Sequence, residues 1–260
     1  MLLAVNVNNT HTLLGVYDGD RLAVHWRLRT DPARTIDEYG VILRSLFADW
    51  GAPRPEIDGI ILASVVPPMN DRVEQVCRRF FGHTPLVVGP GIRTGVSIFF
   101  DNPKEVGADR IGNAVAAYER TRGASIVVDF GTATTFDYVT ARGEYLGGVI
   151  VPGIGISLDA LIARTAKLPR VELTRPPKVV GRTTVHAIQS GVIYGYTALV
   201  DGLVDRIRKE NDASARVLAT GGLAGLIAPT SATIEAVDEF LTLDGLRIIY
   251  ERNNGGSDGV

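Results

Sequence analysis

The sequence predicts an α/β protein made of two similar halves, residues 1–118 and 119–260. Short apolar runs typical of β-strands alternate with amphipathic stretches in which apolar residues recur every three or four positions. The succession strand, turn, strand, turn, strand occurs twice, from residue 2 and again from residue 126. A length of 260 residues is enough for two halves that each bury a core.

The first half opens with three predicted strands, and Asp18-Gly19 is a hairpin turn between the last two. The pattern then predicts a helix that Gly51 closes, a buried strand, a second helix carrying Cys77 as a packed core thiol, and a short strand. Asn102, followed by proline and then by glutamate at position 105, predicts the start of another helix. The predicted elements cover strands 2–7, 10–17 and 22–28, helix 36–50, strand 57–66, helix 69–81 and strand 86–88.

The second half repeats the opening and ends in longer elements. A helix is predicted over 184–209, and close helix–helix contact would explain the three glycines within it, at 191, 195 and 202. The polar, glycine-rich tail 253–260 predicts mobility. The predicted strands are 126–129, 134–140, 145–151 and 216–220.

Superposing 3–16 on 126–139 places Asn6 on Asp129 and Asn8 on Gly131. A strand that ends in Asp or Asn, followed by a loop of small residues, suits a phosphate, because backbone N–H groups can approach it closely. Two unrelated hairpins would explain the same pattern. Two facing copies resemble the actin-like ATPase and sugar-kinase superfamily, in which two ribonuclease-H-like halves hold a nucleotide in the cleft between them.

Composition narrows the function classes. The net charge of −2 argues against nucleic-acid binding driven by bulk charge, and no apolar stretch is long enough for a membrane helix. One cysteine excludes an internal disulfide, and the four histidines lack metal-ligand spacing. We therefore expect a cytoplasmic protein that binds neither nucleic acid nor membrane.

Four segments carry the chemistry: 6–10, 102–110, 129–135 and 220–222. Together, in this order and spacing, they resemble the type III pantothenate kinases, and the resemblance runs from residue 1 to about residue 252. That family transfers the γ-phosphate of ATP to pantothenate in the first step of coenzyme A biosynthesis. The resemblance implies a homodimer whose active site uses residues of both subunits.

The resemblance assigns Asp109 as the catalytic base that accepts the proton of the pantothenate hydroxyl. It assigns Thr184 as a substrate contact supplied by the partner subunit, although a threonine there would also serve as a helix N-cap. Taken alone, Asp109 could equally be an aspartate on a helix surface, and Arg110 could equally belong to a surface ion pair. The implied substrate-binding residues are Phe100, Gly107, Ala108, Asp109, Arg110 and Thr184.

The resemblance also implies an ATP site with two cations. Asp129 would bind a monovalent cation, K⁺ or NH₄⁺, and Asn6 would stand at the Mg²⁺ site beside the phosphates. Gly221 and Gly222 would lie on the adenosine side, unless they form only a simple strand-to-helix turn. The implied ATP-binding residues are Asn6, Val7, Asn8, Asn9, Thr10, His11, Thr12, Leu13, Thr132, Gly221 and Gly222.

The first loop departs from the family pattern Asp-x-Gly-Asn-Thr. Asn6 keeps an oxygen donor but loses the charge, so Mg²⁺ binding is expected to weaken. Asn8 replaces a glycine, and Phe100 stands where the family often has tyrosine. Three hypotheses follow: an active pantothenate kinase with a modified magnesium site, a degenerate non-catalytic paralogue that binds nucleotide or pantothenate as a regulator, or a related kinase for another small hydroxyl substrate.

Overall fold

Two mixed β-sheets carry the fold, each within its own unit of the chain. The structure is a computed structural model that describes residues 1–50 and 56–254. The first unit contains residues 1–95, 101–116 and those from 242 onward, and the second contains 96–100 and 117–241. Among the described helices, none is long and apolar enough to cross a membrane.

The first unit has a five-stranded sheet in the order β3-β2-β1-β4-β5. The first three strands along the chain are antiparallel, and the other two extend the sheet in parallel. Gly19, with φ +61°, makes the predicted turn between β2 and β3. The strands are β1 (Leu2–Val7), β2 (His11–Asp18), β3 (Arg21–Arg29), β4 (Gly59–Ser64) and β5 (Leu86–Val87).

Helices pack on this sheet and bury its apolar face. Thr35 and Glu38 form a capping box at the first helix, while the predicted end at Gly51 lies outside the described residues. Cys77 is buried in the core, and desolvation raises the pKa of its thiol to about 12. The helices are α1 (Ile36–Asp49), α2 (Pro67–Phe81), α3 (Ala108–Thr121), which begins in this unit, and α7 (Leu241–Asn254).

The second unit has a six-stranded sheet in the order β11-β10-β7-β8-β9-β6. Its apolar core lies between this sheet and the long helix α5. The strands are β6 (Ser97–Ile98), β7 (Ser125–Phe130), β8 (Ala133–Val139), β9 (Glu144–Pro152), β10 (Arg216–Thr220) and β11 (Ala236–Val237). The helices are α4 (Ile154–Ala163), α5 (Thr184–Glu210) and α6 (Ala224–Ile227).

The internal repeat predicted from the sequence is present in the strand order. β7, β8, β9, β10 and β11 occupy the places that β1, β2, β3, β4 and β5 occupy in the first sheet, and they have the same directions. Asn6 and Asp129 are each the second-last residue of the first strand of their repeat. The alternative of two unrelated hairpins does not explain the five-strand correspondence.

Two sequence-based expectations need correction. The residues from 242 onward belong to the first unit instead of the second half 119–260, because α7 packs there, with Tyr17 donating a hydrogen bond to Asp244 at 2.6 Å. Among residues 1–50 and 56–254, the glycines of α5 make no close contact with another helix, because a Cβ at Gly191, Gly195 or Gly202 would meet no atom within 4 Å. The predicted mobile tail lies, from residue 255, outside the described residues.

Candidate active site

The end of β1 and the following loop carry two buried amide oxygens that have no hydrogen-bond partner among the described residues. Asn6 is 1% exposed, and its Oδ1 is unpaired, as is the buried Oδ1 of Asn8. An unpaired buried polar atom costs about 1–3 kcal/mol. These oxygens are therefore suited to a ligand that brings positive charge or a hydrogen-bond donor.

Thr30, which follows β3, braces this loop. Its hydroxyl donates to the carbonyl of Asn8 at 2.7 Å, and its backbone N–H donates to the carbonyl of Thr10 at 3.0 Å. The hydroxyls of Thr12 and Thr30 lie 2.9 Å apart. The Asn8 N–H donates to the carbonyl of His11 at 3.0 Å and closes the turn. Thr30 was not predicted as a site residue, because only the tertiary fold brings it to the loop.

The other predicted ATP contacts of the first loop differ in exposure. Val7 is buried and Leu13 is half-buried, so their backbone groups are the more natural contacts. Burial and the nearby charge of Arg27 lower the pKa of His11. Its neutral imidazole is therefore a hydrogen-bonding group and not a fixed positive charge. The exposed members of the set are Asn9, Thr10 and His11.

Asp109 lies in the first turn of α3, and the helix gives its carboxylate the fixed position that a catalytic base needs. Burial raises the pKa of its carboxyl group, although the Arg110 N–H, which donates to Oδ1 at 2.8 Å, and the Arg110 charge oppose the rise. A Cβ on Gly107 would come within 2.5 Å of that Oδ1. A side chain at position 107 would therefore displace the Asp109 carboxylate, and Ala108 begins the helix as a buried residue.

The segment before Asp109 differs from the predicted helix start. Asn102 does accept a hydrogen bond from the backbone of Lys104, at 3.4 Å, but the helix that follows is a single 3₁₀ turn, Pro103–Glu105. The α-helix itself starts at Ala108. Val106 and Gly107 separate the two, so the Asn102 cap serves the turn and not α3.

Phe100 lies in the second unit, just after β6. Its ring packs against that of Tyr145, with centroids 6.4 Å apart. The Tyr145 hydroxyl donates to the buried carboxylate of Asp137 at 2.7 Å. Gly147, with φ +112°, makes room for Phe100, because a Cβ there would approach the ring to 3.1 Å. Phe100 is therefore held in a defined position.

Asp129 lies near the end of β7, and Gly221 approaches its carboxylate. A Cβ on Gly221 would lie 2.6 Å from Asp129 Oδ1. Gly153 packs equally closely on the β7–β8 loop, because its Cβ would lie 2.1 Å from the Thr132 carbonyl oxygen. Thr132 and Gly222 are exposed. The structure thus brings the predicted residues Asp129 and Gly221 together, and it places Gly153, which was not predicted, beside the predicted residue Thr132.

Thr184 is exposed at the start of α5. The helix N-cap is its neighbour Thr183, whose hydroxyl accepts from the His186 N–H at 3.1 Å, so the interpretation of Thr184 as the N-cap is wrong. Thr184 instead lines a cavity of about 440 Å³ between α4 and α5, with mostly apolar neighbours that include Leu161 and Val192.

The described residues include no cluster of three or more His, Cys, Asp or Glu side chains that could hold a metal ion. A divalent ion bound here would need ligands from another source. The unpaired Oδ1 of Asn6 is a hard oxygen donor of the kind that Mg²⁺ accepts. The residues present therefore fit a magnesium ion that brings its remaining ligands with it.

Comparison with known proteins identifies the family. A protein named type III pantothenate kinase from Pelobacter propionicus is 58% identical over 97% of this chain and 100% of the relative. A second, from Anaeromyxobacter sp., is 57% identical over the same shares. An inorganic polyphosphate/ATP-glucomannokinase structure from Arthrobacter sp. shares the fold, with a TM-score of 0.50, 12% identity and coverage of 96% and 98%. The family model for type III pantothenate kinases matches residues 2–206, and the chain belongs to that family.

Proposed function

We propose that this protein transfers the γ-phosphate of ATP to the hydroxyl of pantothenate, the first step of coenzyme A synthesis. The observation that carries the proposal is the similarity to a type III pantothenate kinase over 97% of this chain and 100% of the relative. We place the reaction in the cytoplasm, where ATP is available and where a chain with one cysteine needs no disulfide.

Asp109 acts as the general base. Its carboxylate accepts the proton of the pantothenate hydroxyl as the hydroxyl oxygen attacks the γ-phosphorus, and the bond from that phosphorus to the β–γ bridging oxygen breaks. Phosphoryl transfer of this kind depends on positioning and electrostatics, so no covalent phosphoenzyme is needed. The raised pKa of Asp109 supports this role, because it brings the carboxyl group closer to the working pH of a base.

Pantothenate is recognised by its carboxylate and its apolar body. The Arg110 guanidinium has the planar fork that suits a carboxylate. Gly107 leaves the space beside Asp109 that the substrate hydroxyl needs, and the ring of Phe100 offers an apolar surface. Because Phe100 lacks a hydroxyl, the substrate contact at this position is apolar.

The phosphates of ATP bind the loop that follows β1, with Mg²⁺ beside Asn6. Mg²⁺ supplies charge neutralisation at the transferring phosphoryl group. Asn6 would contribute a neutral oxygen to the ion, and phosphate oxygens and water would supply its other ligands. We therefore expect Asn6 to bind Mg²⁺ more weakly than an aspartate at this position would, and we expect a lower rate as a result.

Asp129 holds the monovalent cation, K⁺ or NH₄⁺, and Thr132 contacts an ATP phosphate. A carboxylate and a threonine hydroxyl are hard oxygen donors of the type such a cation requires. The close approach of Gly221 supports this assignment, because it brings a further backbone group beside the Asp129 carboxylate.

The enzyme is a homodimer in which the partner subunit supplies Thr184. Apolar side chains are exposed near the start of α5 and on α4, and a second copy of the chain would cover them. The free space beside the glycines of α5 would allow that copy to approach closely. Sedimentation at micromolar concentration is expected to give a dimer, and Val185→Asp is expected to give a monomer. The exposed apolar residues are Ile156, Leu161, Val179, Val180 and Val185.

The test is ATP-dependent phosphorylation of pantothenate with Mg²⁺ and K⁺, on the parent and on Asn6→Asp side by side. Turnover in the parent establishes the kinase. A silent parent rescued by Asn6→Asp would favour a binding protein with a disabled magnesium site. Silence in both, from folded protein, would overturn the proposal and favour another substrate or a non-catalytic role.

A further inference from the structure

Helix α7 touches the helix that carries Asp109, and the contact is between backbones. A Cβ on Gly245 of α7 would lie 1.9 Å from the carbonyl oxygen of Gly112 in α3. An ordinary contact needs about 3.5 Å. A Cβ on Gly112 would lie 3.3 Å from the carbonyl oxygen of Thr242. Glycine at position 245 therefore allows an approach of the two backbones that a side chain there would prevent, and the fit around Gly112 is tight.

A buried hydrogen bond fixes the rotation of the two helices at the same point. The Thr242 hydroxyl donates to Oδ1 of Asn113 at 2.7 Å, and both side chains are buried. Gly112 and Asn113 lie three and four residues after Asp109, which is one helical turn. A displacement of this turn is carried directly to the turn that holds the carboxylate.

The sheet of the first unit holds α7 from the other side. The Tyr17 hydroxyl of β2 donates to Asp244 at 2.6 Å. Tyr250 covers Gly59 at the start of β4, where a Cβ would lie 1.8 Å from the tyrosine oxygen. Helix α7 is thus a fixed support between the sheet and α3.

We propose that Gly245 and Thr242 are positioning residues, which set where the first turn of α3 places the Asp109 carboxylate. The inference rests on the proposed role of Asp109 as the base. Residues 242–254 lie beyond the part of the chain that the family model matches, 2–206. The role of α7 therefore follows from the packing of this structure and not from the motif.

The experiment compares Gly245→Ala with Gly40→Ala. Gly40 is the matched control, because it too lies at a tight helix contact of the first unit, where a Cβ would lie 1.8 Å from the ring of Phe80. We expect Gly245→Ala to lower kcat by roughly 10- to 100-fold with little change in KM for ATP, since an error of about 1 Å in a reacting group costs that much. Gly40→Ala is expected to lower Tm and to keep kcat.

Thr242 gives a second test that adds no atoms to the contact. Thr242→Val removes the hydroxyl at constant shape, and Thr242→Ser retains it. We expect kcat to fall in Thr242→Val and to return in Thr242→Ser. If Gly245→Ala does not fold, the two Thr242 variants test the positioning role on their own.

A readout without turnover separates this inference from the proposed function. The titration of the Asp109 carboxyl carbon, followed by ¹³C NMR and assigned with Asp109→Asn, is expected to shift in Gly245→Ala and in Thr242→Val but not in Gly40→Ala. If the parent does not phosphorylate pantothenate, the function fails while this titration still tests the positioning. Unchanged titration and unchanged kcat in Gly245→Ala and in Thr242→Val would overturn the inference and leave α7 a purely structural helix.

Discussion

Gly221 and Asp129 lie so close that a single added methyl group at position 221 would come within 2.6 Å of the Asp129 carboxylate. Gly221 also has φ +89°, a conformation that residues with a side chain adopt only with strain. Space and backbone conformation thus both require glycine beside the proposed cation ligand.

Gly221→Ala is therefore expected to destabilise the protein by about 1–3 kcal/mol and to reduce activation by K⁺. Chemical denaturation and activity as a function of K⁺ concentration measure the two effects. Gly225→Ala is the control, because a Cβ there meets no atom within 4 Å. Equal stability and equal K⁺ response in the two variants would contradict the requirement for glycine at position 221.

Asp129→Ala is expected to remove the dependence of the rate on K⁺ or NH₄⁺, because the variant lacks the charged oxygen ligand. Initial rates in K⁺, NH₄⁺ and Na⁺ salts at equal ionic strength measure it. If Na⁺ alone supports the full rate in the parent, the assignment of a K⁺ or NH₄⁺ site to Asp129 is wrong.

Asn6→Asp is expected to lower Tm in the absence of ligand, because it places a carboxylate at a position that is 1% exposed. Mg²⁺ and ATP together should recover that loss, since the ion pairs with the new charge. Thermal unfolding with and without Mg-ATP measures both. Asn70→Asp is the control, because Asn70 in α2 also has a buried, unpaired Oδ1 but lies outside the proposed phosphate loop. Recovery of the same size in both variants would exclude a magnesium site at Asn6.

Asp109→Asn is expected to abolish turnover and to raise Tm at pH 8. Burial raises the pKa of this carboxyl group in the folded state. The protonated Asp109 therefore contributes its full stability below the unfolded-state pKa of about 3.9. That contribution is lost as the pH rises through the folded-state pKa. The advantage of the amide should therefore shrink as pH falls towards 4. Thermal unfolding from pH 4 to pH 8 checks this, and a pH-independent difference in Tm would contradict it.

Local patterns predicted most of the regular elements. The three- and four-residue spacing of apolar side chains predicted α1 from Ile36, where it begins, and the helical stretch over 184–209 is α5, Thr184–Glu210. The predicted first strand 2–7 has the same bounds as β1. These elements are determined by their own amphipathic or apolar runs, which the sequence displays directly.

Elements that depend on distant partners were not predicted. Helix α4 follows Gly153, contains Gly155 and is mostly apolar, so periodicity gives no clear signal for it. The two-residue strands β6 and β11 exist only through pairing with β9 and β10. Helix α7 was not predicted either, and Gly245 within it weakens the local helical pattern.

In the candidate site, too, some residues were predicted from their own segments and others depend on contacts that the sequence does not display. Asp109 and Asp129 were predicted through the resemblance of their surrounding segments to a known family, not through spacing alone. Thr30 and Gly153 could not be predicted, because each acts on its loop through a contact that is distant in sequence or depends on the local path of the backbone. Threonine and glycine are common in loops and turns of every kind, so neither residue type carries a signal of its own there.

The return of α7 to the first unit has a consequence for synthesis on the ribosome. Leu243, Leu246 and Ile249 are fully buried in that unit, so its core remains incomplete while residues 117–241 are being translated. Proteins with several domains usually fold from the N-terminus as they emerge. Here the first unit begins synthesis first, but its core is completed last. A chain that ends before residue 241 therefore keeps an apolar face of that unit exposed to chaperones and proteases.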